Sequence, residues 1–150
     1  MLSKYLFIIL LFVSFTAYAQ QGNIPQEAKD SFAQLFPKAT SVKWVKVDET
    51  EVNNAQYLAK FKQKGKAITV VFDEDGQHKM TKTGIAVSKL PTNISSYIKT
   101  TYAGCKISAA TQIVGKSGDT FYEADIKIGG EKVELYFESD GDQTDMGSIE

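Results

Sequence analysis

One stretch of this chain occurs twice. Residues 57–76, YLAKFKQKGKAITVVFDEDG, return as residues 122–141, YEADIKIGGEKVELYFESDG, at a constant offset. Tyr57 matches Tyr122, Gly65 matches Gly130, Phe72 matches Phe137 and Gly76 matches Gly141. Each copy reads as two strands joined by a glycine turn and closed by an acidic-Gly turn, so the chain reads as a duplication. Side chains on a strand alternate between faces. Tyr57, Ala59 and Phe61 share one face, as do Tyr122, Ala124 and Ile126; on the return strands Ile68, Val70 and Phe72 match Val133, Leu135 and Phe137. The other face carries Lys60, Lys62 and Lys64 in the first copy but Glu123, Asp125 and Lys127 in the second. Apolar one way and charged the other is the pattern of an antiparallel sheet covered on one side.

The segments before each hairpin supply the cover. Ile24-Pro25 opens a first helix, whose stripe is Ile24, Ala28, Phe32, Leu35 and Phe36, and Pro37 ends it. Leu90-Pro91 opens a second, with Leu90, Ile94, Ile98 and Tyr102 in the same spacing. Val42 to Val47 reads as a strand that is apolar on both sides, so its facing stays open: either Val45 and Val47 point inward with Trp44 outside, or the reverse. The polar loop DETEVNNAQ, residues 48–56, has a shorter counterpart at residues 115–119. Residues 77–83 make a fourth strand, GIAVSK links the copies closely, and the polar tail after Asp142 reads as a short edge strand that frays. The fold expected is α+β: two tandem helix-plus-antiparallel-hairpin repeats, residues 24–83 and 90–147, in one continuous antiparallel sheet with helices on one face. Phe61, Phe72, Ile126 and Phe137 should share one core beneath them.

The first residues read as an export signal. Lys4 is followed by an apolar run over residues 5–15 and by Ala17-Tyr18-Ala19, a small-x-small cleavage site that would leave residues 20–150 as a single mature domain. That places the protein in the periplasm or outside the cell, and no later stretch is long and apolar enough to span a bilayer. The chain has no arginine, the usual bidentate reader of phosphate and guanine, which argues against nucleic acid. Residues 24–83 hold ten lysines against eight acids, whereas residues 90–150 hold five against ten.

Catalytic and metal chemistry find little to work with. His78 is the only histidine, so a multi-histidine metal site lacks its residues, and His78 itself reads as a strand-surface residue after a turn. With Gly76 at the sixth position of a calcium loop, Lys82 stands at the twelfth in place of glutamate; Gly141 puts Gly147 there. The acidic-Gly segments therefore read as hairpin turns, and no metal or other cofactor is expected. Cys105, the only cysteine, cannot form an internal disulfide and reads as a small residue packed at a helix end, buried and slow to react. Asn93-Ile94-Ser95 matches a glycosylation sequon but falls within the second helix.

The ordered set Ile24-Pro25, Leu35-Phe36-Pro37-Lys38-Ala39, Val42-Lys43-Trp44, Tyr57-x-Ala-x-Phe61 and Val71-Phe72-x-x-Asp75-Gly76, followed by Leu90-Pro91 and the second hairpin, resembles the PepSY-like, putative beta-lactamase-inhibitor-like family of exported Gram-negative bacterial proteins. The resemblance implies helix-plus-sheet repeats fused into one sheet and a periplasmic location; it brings no proven activity, and the lack of a catalytic constellation argues against an enzyme. On this reading the protein is a protein-binding or inhibitory module, with a small-ligand carrier as the alternative, and its partner a periplasmic protein. The face left open by the helices would be the binding surface: Lys60, Lys62 and Val71 from the first copy, Glu123, Asp125 and Tyr136 from the second, and Trp44 if Val45 and Val47 point inward.

Overall fold

A computed structural model describes residues 23–48 and 55–149. The expected signal segment, residues 1–19, and the interior of the loop before the first hairpin lie outside them. Helix α1 (Gln26–Leu35) precedes strands β1 (Lys43–Asp48), β2 (Ala55–Gln63), β3 (Lys66–Phe72) and β4 (His78–Ile85). A 3-10 turn (Val87–Lys89) and helix α2 (Thr92–Thr101) lead into β5 (Lys106–Gly115), β6 (Thr120–Ile128), β7 (Glu131–Glu138) and the two-residue β8 (Gln143–Thr144). A last 3-10 turn covers Met146–Ile149. The eight strands form one antiparallel sheet in sequence order, and the two halves join where β4 pairs with β5, from Met80↔Gly115 to Ile85↔Ala110.

Both helices start directly behind a proline. Pro25 and Pro91 hold the N-cap position with φ near −50°, and their carbonyls accept the first helical bonds, from the Lys29 and Ser95 amides. The buried faces follow the expected stripes: Ala28 and Phe32 in α1, Ile94 and Ile98 in α2. Leu35 departs from the stripe and is 49 % exposed. Ile24, Ala28, Phe32 and Phe36 form the line of four-residue steps that meets the sheet. Leu35 falls to one side of it, on the rim of a shallow cleft that Ser31, Gln77 and His78 also line.

The helix-covered face is apolar as the alternation requires, but it does not form one core. Phe61 and Phe72 belong to a cluster under α1; Ile126 and Phe137 belong to a separate one under α2. The seam explains the division. There the pairs Thr81↔Val114 and Thr83↔Gln112 put partly exposed polar side chains between the two helices. The halves share a third cluster instead, on the opposite face. Val71 and Met80 from the first half meet Ile113 and Ile149 from the second, with Leu58, Phe121, Tyr136 and Met146 packed around them.

That cluster corrects the reading of the tail. Residues 143–149 do not end as a fraying strand: β8 pairs briefly with β7, and the chain then turns back so that Ile149 is 3 % exposed. Asp145 fixes this turn by accepting bonds from the Ser148 amide at 3.0 Å and the Ser148 hydroxyl at 3.2 Å. Ile149→Ala should therefore lower stability by about 2 kcal/mol, the low end for a buried isoleucine because a turn tied to the sheet through the short β8 can relax. Urea denaturation measures this, and a midpoint equal to that of the parent chain would show that the tail contributes nothing.

The acidic-Gly turns are structural. The Asp73 carboxylate accepts from the amides of Asp75 and Gln77, and Asp140 accepts from the amide of Asp142. These are Asx-turn bonds that use the side chains locally. In the sequon, the Asn93 amide donates to the Asp140 carbonyl, so this side chain ties α2 to the β7–β8 turn. Cys105 is half-buried beside the α2 cluster rather than enclosed by it.

Candidate partner-binding face

Pairing in the sheet assigns the residues of the expected binding surface to a face. Lys43 stands opposite Lys60, Val45 opposite Leu58, Leu58 opposite Val71, and Val71 opposite Met80. Across the seam the same face continues through Lys82↔Ile113, Thr111↔Glu123 and Glu123↔Tyr136, and Asp125↔Glu134 lies beside them. Lys60, Lys62, Val71, Glu123, Asp125 and Tyr136 therefore do share the helix-free face.

Trp44 is not among them. It pairs with Ala59, and its ring lies 5.5 Å from that of Phe32 and 5.7 Å from that of Phe72, on the helix side. Val45 and Val47 take the other face, with Val47 39 % exposed. The reason is packing: α1 offers an aromatic cluster of Phe32 and Phe36 over Phe61, and a tryptophan buries more apolar area there than a valine would. Val71 is on the expected face but only 3 % exposed, because the C-terminal turn covers the cluster to which it belongs.

The acidic half of the face is a connected network. The Lys82 ammonium pairs with Glu123 at 3.1 Å and stands 5.8 Å from the centre of the Tyr136 ring. Lys132 bridges Asp125 at 3.1 Å and Glu134 at 2.9 Å. The Tyr136 hydroxyl donates to Glu134 at 3.2 Å. Burial, together with the negative charges of Glu123, Glu134 and Asp125, holds that hydroxyl well above the ordinary tyrosine range, so it stays a donor. Bonding to Glu134 and Asp125 pushes Lys132 up to about 12, and Lys132 in turn holds Glu134 below the usual carboxylate range. Ligand oxygens of Glu123, Asp125 and Glu134 lie within 4.8 Å of one another, a set a hard cation could use. Two lysines already supply the counter-charge.

The basic half of the face is a groove of about 300 Å³. Leu58, Val71 and Met80 form its floor, Met146 of the C-terminal turn one wall, and Lys60 and Lys82 lie on its rim with Val47. Lys60 and Thr69 also border a second hollow of about 520 Å³ that includes Lys62. Sequence reasoning missed Lys82, which joins the two halves of the face, and Met146 and Ile149, which cover its centre. The three-residue spacing of two apolar residues in an otherwise polar tail was the only signal for the latter. His78, away from this face, bonds Thr81 at 3.0 Å and meets the Phe72 ring edge-on; burial, then Lys116, lowers its pKa.

The comparisons with known proteins agree with this architecture. Residues 55–144, more than half of the chain, match the family described as putative beta-lactamase-inhibitor-like, PepSY-like. The chain belongs to this family. Among solved structures, a DUF2874 family protein from Bacteroides ovatus is 20% identical, with a TM-score of 0.68 over 83% of this chain and 86% of that one. A protein from Bacteroides eggerthii, described as a putative periplasmic protein, is 16% identical with a TM-score of 0.68, covering 81% of this chain and 86% of its own. A BLIP-like protein from Bacteroides fragilis is 24% identical with a TM-score of 0.61, over 83% and 86%. At these identities the likeness shows the fold: two helices on one eight-stranded antiparallel sheet. No curated protein matches the chain. Among the described residues no helix is long and apolar enough to cross a membrane.

Proposed function

We propose that this PepSY-like protein is a non-enzymatic periplasmic module that binds another protein through the helix-free face of its sheet. The observation that carries this reading is the composition of that face. An aromatic residue, Tyr136, stands within a charged network spanning β4 to β7, next to an apolar groove with a lysine rim. Large aromatic residues beside charges are what interfaces use to concentrate binding energy. The periplasmic placement is supported by the amino-terminal signal pattern and by the description of the Bacteroides eggerthii structure. The chain is read as two copies of one unit within one domain, supported by the order helix then four strands in each half. A small-ligand carrier with its site between sheet and helices is the weaker reading, because no polar or charged residue is buried among the described residues to orient a ligand.

The test is capture from periplasmic extract with the mature protein as bait, alongside its Tyr136→Ala variant. Affinity for the captured protein should fall by about 2 kcal/mol, the scale of an interface hot spot. Tyr136 also borders the third cluster, so the comparison is made where circular dichroism shows the variant fully folded. Equal capture by the two forms removes the face from the binding site.

A further inference from the structure

We propose that the groove between β2–β4 and the C-terminal turn takes an extended acidic segment of the partner protein, one of whose aliphatic side chains enters the hollow; this rests on the partner-binding reading of the same face. Charge and shape both support it. Lys43 and Lys60 stand directly opposite one another on adjacent strands, and Lys62 follows on the same face. All three are exposed. Like charges in direct cross-strand register repel, and ion pairs among the described residues use Lys82 and Lys132 instead. A carboxylate-bearing segment would relieve that repulsion.

Below the lysines the surface is apolar. Leu58, Met80 and Met146 enclose a groove of about 300 Å³, a size that suits an aliphatic side chain better than a whole folded element. Two thioethers among the lining residues let the wall adapt to different side-chain shapes. The second hollow shares Lys60 and Thr69 with the groove and continues past Lys62. That hollow also takes in Thr40, Ser41, Phe61 and Ile68, so it opens toward the helix side; the groove itself takes the one aliphatic side chain, and carboxylates flanking it along the segment reach sideways to the ammonium groups on the rim. The acidic half of the face, around Glu123 and Glu134, would repel the same segment and so confine it to the first half.

A phage-displayed library of short random peptides, selected on the immobilised mature protein, tests this. Enriched sequences should be acidic with an aliphatic residue between carboxylates. The synthetic consensus peptide, followed by fluorescence anisotropy, should bind about tenfold more weakly to Lys60→Glu and lose affinity as salt rises. Lys60→Gln should weaken it less, and Lys99→Glu on α2 should leave it unchanged. Circular dichroism verifies that each variant is folded. A basic or uncharged consensus, binders indifferent to Lys60→Glu, or no enrichment over an unrelated bait would each overturn the groove assignment. Indifferent binders that still lose affinity with Tyr136→Ala would leave the partner-binding face standing; indifference to both substitutions would remove the face as well.

Discussion

Replacing Phe72 with alanine is expected to remove about 4 kcal/mol of stability and to unfold both halves of the chain in a single step at a lower temperature. Phe72 has no solvent exposure, and its ring packs beside Trp44 and His78. Truncation leaves a cavity beside Trp44 and His78, within the cluster that Ala28 and Phe32 of α1 complete. For a domain of this size the melting temperature should fall by on the order of 15 °C. The two halves have separate helix-side clusters, so the local loss would stay in the first half if nothing else joined them. The β4–β5 pairing and the third cluster do join them. The sequence carries a private probe for each half: Trp44 is the only tryptophan and Cys105 the only cysteine. Tryptophan fluorescence and the labelling of the thiol should report the same midpoint in the variant as in the parent. A fluorescence transition well below the thiol transition would show two independent folding units.

Gly76→Ala should cost about 3 kcal/mol, against about 1 kcal/mol for Gly65→Ala. Both glycines have φ of +76°, so both substitutions carry the left-handed backbone penalty. Only one meets an obstacle. A Cβ at Gly65 has nothing within 4 Å, whereas a Cβ at Gly76 would lie 2.5 Å from the Ala28 amide nitrogen and 2.9 Å from the Glu27 carbonyl carbon. Those are backbone atoms in the first turn of α1, so relief requires the helix to lift from the sheet. Ser31, which donates to the Gly76 carbonyl at 3.3 Å, would lose its partner in the same movement. Parallel urea titrations of the two variants make the comparison. Equal losses would mean that only the turn conformation matters and that the close approach of α1 does not.

The hairpins were legible because one face of each strand is apolar throughout, while the other is mostly charged and broken by Leu58, Val71 and Tyr136. Tyr57, Ala59 and Phe61 could only lie on one side, and the structure buries all three. Trp44 was not legible, since KWVKV presents an apolar residue to either face. Its side is decided by Phe32, a residue on another element. The division of the core was hidden for a related reason. Comparing the two hairpins aligns Phe72 with Phe137 but leaves out the seam, and the polar Thr81, Thr83 and Gln112 lie there. Of the candidate site, the six strand residues were placed on their face by alternation alone. Which of them is accessible was not, because Val71 is covered by a segment that local pattern reads as polar tail. Lys82 escaped notice because its role depends on the β4–β5 pairing, which no local pattern encodes.

The C-terminal turn also sets an order of events during synthesis. Ile149 is made after every strand it covers, so a nascent chain holding β1 to β7 has its sheet residues complete while Val71, Met80 and Ile113 still lack their lid. The contacts that close this patch span some seventy residues of sequence, and such long loops are closed late. Until then the growing protein carries an apolar surface on the side opposite its helices, the kind of patch that holdase chaperones recognise and that drives self-association. The turn over Met146–Ile149 is what takes that surface out of water.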